Sequence, residues 1–191
     1  MPLTPLMILW INLVTNGAPA LALGVDPAAG DLMKSPPRRA TEPLVGARDM
    51  LGIALVGVAI AAAALVAYSE ALCPVGGSAE THRTIAFFVL AIAPLLHAWS
   101  CRSPTASIIA LRPTVSIPLL VATALSLALQ ALALLPGLRD VFHVTSLDGH
   151  HLALAGACSV TVIVIVEVAK LIDRRRSGAG AGAAPAAEAR V

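Results

Sequence analysis

The chain is poor in charge, in aromatic side chains and in cysteine. Asp, Glu, Lys and Arg make up only 13% of the 191 residues, about half the share found in soluble domains. Aromatic residues make up 3%. Any belt at a membrane–water interface is therefore thin, with Trp10, Tyr68, Trp99 and Phe142 as its candidates. The three cysteines, Cys73, Cys101 and Cys158, lie in different segments with no CxxC spacing, which argues against a disulfide framework and against a thiolate metal site. Signatures of soluble catalysis are missing too. There is no GxxxxGK[ST] phosphate loop, no GxSxG elbow and no HExxH pair. No connector is long enough for a nucleotide-binding domain, and the basic residues form no nucleic-acid patch.

What is present is apolar length. Hydrophobic residues reach 58%, gathered in runs of about twenty, the length that crosses a hydrocarbon layer as a helix. Barrel strands would be shorter and would alternate polar with apolar. The expected fold is an all-α integral membrane protein, a five-helix transmembrane bundle. Its segments fall at about 6–25, 50–72, 85–101, 117–135 and 152–172, and the lipid bilayer is its first partner. No Lys or Arg precedes the first run, so it reads as a retained helix and not as a signal peptide.

Charge placement sets an orientation. Lys34, Arg38, Arg39 and Arg48 follow the first segment, Arg102 and Arg112 follow the third, and Arg174, Arg175 and Arg176 follow the fifth. The alternate connectors hold only Arg83 and Arg139. Basic connectors stay cytoplasmic, which predicts an outside N-terminus and a cytoplasmic C-terminus; the membrane expected is the cell membrane. The Pro36-Pro37 pair interrupts helix in the first connector. Residues 173–191, ending in "SGAGAGAAPAAEARV", read as a disordered tail.

The first segment has an unusual centre, "WINLVTNGAPALALG". Asn12, Thr15 and Asn16 recur at i, i+3 and i+4, one face of a helix. Pro19 has no N–H to give the carbonyl of Thr15, and Gly17 loosens the same turn. A helix break is predicted at Gly17 and Pro19, with three side-chain oxygens beside a released carbonyl. Two readings fit that spacing. Broken helices coordinate cations in transporters, whereas Asn and Thr also bond neighbouring helices as glue. Magnesium, calcium or sodium would suit such an oxygen set, which contains no carboxylate.

Other polar positions read as structural. Pro94 releases the carbonyl of Leu90 within the third segment, and His97 lies one turn before its end. Gln130 reads as interhelical glue. Glu167 and Lys170 are three apart and can pair. His143, Asp148, His150 and His151 share a connector that reads as solvated.

The stretch "PLTPLMILWINLVTNGAPALALGVDP", followed by "DLMKSPPRRATEPLV", resembles the calcium-pump branch of P-type cation ATPases, at their sixth transmembrane helix and the loop after it. "RTIAFFVLAIAPLLHAWSCRS" resembles the eighth helix, especially of the secretory-pathway type. The resemblance runs to about residue 172 and implies that the five segments are the last five helices of such a pump. It places Asn12, Thr15 and Asn16 on cation-ligand positions. Asn16 stands where those pumps carry an aspartate, and Pro94 stands near a position where they carry Glu or Gln. The pumps' "DKTGT" and "TGE" motifs are not in these residues. The resemblance therefore implies one part of a cation-transporting ATPase. It would contribute part of a cation site and depend on a partner chain for ATP hydrolysis. The alternative is a remnant or stand-alone helix bundle with an interaction role. No cofactor is expected on the chain beyond a transported divalent cation.

Overall fold

The computed structural model describes residues 3–26, 45–69, 78–102 and 115–181. Every regular element among them is a helix. The first, α1 (Pro5–Asn16), starts where the Thr4 hydroxyl accepts the Met7 N–H at 3.2 Å and Pro5 occupies the first turn, both favoured at a helix start. It stops at Gly17, whose ψ of −90° leaves the helical range. The chain re-enters helix as α2 (Ala18–Gly24).

Next comes α3 (Ala47–Tyr68), where the Asp49 carboxylate accepts the Gly46 N–H at 2.9 Å. The following helix, α4 (Ala79–Ser100), begins well before the expected position 85. The cause is reciprocal capping: Ser78 and Thr81 exchange backbone-to-hydroxyl bonds at 3.3 and 3.4 Å, which extends helix through the polar turn. Ser116 then caps α5 (Ile117–Leu132) by accepting the Leu119 N–H at 3.4 Å.

This fourth apolar segment is shorter than expected. It closes ahead of Pro136 and Gly137, where Gly137 takes a φ of 94° open only to glycine without strain. Sixteen residues span about 24 Å, short of the ~30 Å hydrocarbon layer. Among the described residues, four helical stretches are long and apolar enough to cross it: Pro5–Gly24, Asp49–Tyr68, Ala79–Ser100 and Gly149–Ile172. A single turn, α6 (Leu138–Phe142), leads to α7 (Gly149–Ala181). Helix thus continues beyond residue 172, correcting the expected irregular tail for residues 173–181. Arg174 to Arg176 are good helix formers added to an existing helix, and elongation needs no new nucleus. The remainder of the tail, with Lys34, Pro36, Pro37, Arg38, Arg39, Cys73 and Arg112, lies outside the described residues.

The central helix is α4, 61% buried along its span against 11% for α3. It packs against α7, α3, α1, α5 and α2. Two apolar clusters form around it. One joins Met7, Ala64, Ala67, Phe87, Val89, Phe142 and Ala155. The other joins Ala22, Ala98, Leu119 and Ala122. The helix break divides the first segment between them, with α1 in the first cluster and α2 in the second. Two of the expected belt aromatics turn inward: Phe142 is only 4% exposed and lies 5.0 Å from Trp10, ring centre to ring centre. A belt residue must face lipid headgroups, whereas this ring fills the space between α1 and α4.

Candidate cation site at the helix break

At the break the backbone has lost its regular bonds. Pro19, fully buried, carries no N–H for the Thr15 carbonyl, and helical bonding resumes with the Leu21 N–H on Gly17 O at 3.3 Å. A Cβ at position 17 would meet the Leu13 carbonyl at 3.0 Å, a contact the carbonyl would have to relieve by a few tenths of an ångström.

The sequence-predicted residues fall into different settings. Asn12 opens onto a groove of about 230 Å³ that it shares with Leu3, Ile8, Ile11, Ile60, Leu90 and Pro94. The groove is almost wholly apolar, and it sets Asn12 of α1 on the same side as Leu90 and Pro94 of α4. Thr15 is half-buried, and its hydroxyl donates to the Ile11 carbonyl one turn back at 2.8 Å. That bond favours bending of a helix. Asn16 is the last residue of α1, while its side chain lies outside the described residues. No carboxylate lines the groove.

Charged groups gather at the bundle's ends. Arg102 donates through Nε to Asp26 at 2.7 Å, with the side chains 4% and 8% exposed. Burial alone would raise the Asp26 pKa. Hydrogen bonds from Arg102 and Ser116 and the guanidinium charge outweigh it, so the carboxyl is held below its ordinary 3.8. This bridge ties the ends of α2, α4 and α5 together. One end of α4 is held by α7: Ser100 donates to Glu167 at 2.7 Å, Lys170 donates to the Ser100 carbonyl, and Lys170 and Glu167 stand 3.7 Å apart. The ammonium thereby satisfies a helix-terminal carbonyl. At the opposite end Arg83 donates to the His143 carbonyl at 2.6 Å. His150 and His151 contact each other edge to face. No group of three metal-ligating side chains occurs among the described residues.

The sequence reading named Gln130 as interhelical glue, which its bond to Trp10 bears out, but missed Thr123 and Ser126, which make a polar stripe with it on α5. Thr123 accepts the Trp99 indole N–H at 3.2 Å, Ser126 donates to the Val14 carbonyl at 2.8 Å, and Gln130 accepts the Trp10 indole N–H at 3.2 Å. The spacing of three and four in an apolar helix was the signal.

A broken first helix against a proline-bearing central helix is what Gly17, Pro19 and Pro94 predicted from the sequence. Residues 1–172 match the family described as cation transporting ATPase, C-terminus. The chain belongs to that family. Among curated relatives, the calcium-transporting ATPase of Bacillus subtilis (strain 168) is 30% identical over 178 residues, covering 92% of this chain and 20% of that protein. Calcium-transporting ATPase 1 of Bacillus cereus is 31% identical over 91% of this chain and 21% of its own length. The mouse calcium-transporting ATPase type 2C member 2 is 28% identical over 91% and 18%. This cation-ATPase C-terminal domain spans about a fifth of the length of the relatives it matches. The apolar helices and the family together make it a multi-pass membrane protein.

Proposed function

We propose that the chain supplies the C-terminal membrane part of a cation pump and presents one side of a cation site at the break in its first helix. Asn12 and Asn16 contribute amide oxygens and Thr15 its hydroxyl and backbone region. ATP hydrolysis is carried by a partner chain bearing the phosphorylation and nucleotide domains. The transported ion is a divalent cation, and the chain lies in the cell membrane with its N-terminus outside and its C-terminus in the cytoplasm. The observation that supports this reading is the helix break at Gly17 and Pro19, with Asn12 and Thr15 on the turns that lead into it. Oxygen ligands and interrupted backbone are what cation transporters place at mid-membrane.

The test is reconstitution. The full chain is co-expressed with the Bacillus subtilis pump lacking its C-terminal fifth, and calcium-dependent ATP hydrolysis is measured. Recovery of hydrolysis that Asn12→Ala diminishes supports the reading. Asn16→Asp should lower the calcium concentration needed for half-maximal hydrolysis, because a carboxylate offsets the charge of a dehydrated divalent ion. Hydrolysis that never returns, together with purification of the chain alone from its own membranes, overturns it. The lack of a carboxylate in the groove favours one second reading, a helix bundle that transports nothing. Stable assembly with unaltered hydrolysis in Asn12→Ala and Asn16→Asp would point there.

A further inference from the structure

On α5, Thr123, Ser126 and Gln130 are 6%, 1% and 1% exposed, in a helix otherwise made almost wholly of apolar side chains. Two of them reach α1 in a regular register. Ser126 pairs with Val14 and Gln130 with Trp10, so four residues onward along α5 meets four residues back along α1. These are bonds about one turn apart on antiparallel helices. One bond would let the helices slide or rotate about it. Two fix both movements. The Val14 carbonyl also belongs to the last turn of α1, where carbonyls lack intrahelical donors, and it is tied just before Gly17 and Pro19.

We propose that Ser126 is a positioning residue for the helix break. Its hydroxyl holds the Val14 carbonyl against α5 and thereby sets the rotation at which Asn12 and Thr15 are presented. Val14 is 1% exposed, so water does not replace the donor. The functional weight of this role rests on the cation-site reading above; the bond itself does not.

Carbonyl-labelled valine with nitrogen-labelled threonine tests it on the full chain in lipid nanodiscs. The sequence holds three Val–Thr pairs, Val14–Thr15, Val144–Thr145 and Val160–Thr161. Loss of a hydrogen bond moves a carbonyl resonance upfield. Ser126→Ala should shift the Val14 peak alone, with the other two unmoved as controls of fold, and Ser126→Thr should return it. If Ser126→Ala disturbs the controls, Ser126→Cys, a weaker donor of similar size, should give a partial shift. A Val14 peak unmoved in whichever of these variants stays folded, or not recovered in Ser126→Thr, overturns the proposal. In a second arm Mn2+ is titrated as the probe. Broadening of the Thr15 signal should need several-fold more Mn2+ in Ser126→Ala than in the wild type. An unchanged midpoint beside a shifted Val14 peak also overturns the positioning role. A wild-type chain indifferent to Mn2+ counts against the cation site, while the Val14 peak still decides the part played by Ser126.

Discussion

Asp26 and Arg102 lie just past the ends of α2 and α4, seventy-six residues apart in the chain and 2.7 Å apart in space. Their side chains are shielded from water, but both residues are only half-buried at helix ends, so the pair lies between an exposed and a buried one. An exposed ion pair contributes little, whereas removing one partner of a buried pair leaves an uncompensated charge and costs about 3–5 kcal/mol. Arg102→Ala should therefore destabilise the bundle by roughly 1–2 kcal/mol, between those limits, read as a shifted unfolding midpoint in bicelles. The double variant Asp26→Leu with Arg102→Leu should recover most of the loss. The pH dependence has a definite sign. The folded pKa of Asp26 lies below its ordinary 3.8, so the stabilisation is complete above that value and is lost as pH falls through the folded pKa. Wild-type stability should drop in strong acid while the double variant stays flatter there. Parallel pH profiles for the two proteins would show that the bridge does not govern acid sensitivity.

At the scale of elements, the break between α1 and α2 is a local event with a distant anchor. Local chemistry makes it, because proline cannot donate and a side chain at Gly17 would crowd the Leu13 carbonyl. The two apolar clusters hold the halves apart, Met7 in one and Ala22 in the other. Pro19→Ala should restore a donor for the Thr15 carbonyl and slow amide exchange across residues 18–21, since an interior proline costs a helix ~3 kcal/mol. Gly17→Ala should act oppositely, pushing the Leu13 carbonyl aside and speeding exchange there. Hydrogen-exchange mass spectrometry on the peptide covering the break distinguishes the two. If Pro19→Ala exchanges as fast as wild type, tertiary packing and not the missing donor creates the interruption.

For the whole molecule, the legible features were those that single segments encode. Apolar length marked the helices, and a proline two residues after a glycine marked the break. The long-range pairings were not legible: Ser126 with Val14 and Arg102 with Asp26 join residues far apart, and one sequence does not say which polar group meets which. Phe142 turned inward for the same reason, since its partners Trp10 and Phe87 come from other helices. What a bilayer protein turns outward is nevertheless plain in the packed structure. Leu21, Val58 and Ile165 are 77%, 67% and 52% exposed, while Val89 and Leu95 on α4 are wholly buried. Apolar side chains gain nothing from one another over lipid, so such faces are stable against acyl chains and equally available to further helices. A carbene reagent dissolved in the bilayer should label Leu21, Val58 and Ile165 in the chain alone and spare Val89 and Leu95. If assembly with the rest of a pump covers the Asn12 groove, labelling of Ile8 beside it should fall on co-expression while labelling elsewhere persists. Uniform labelling of all these positions in the chain alone would mean that the bundle does not hold together without its partner.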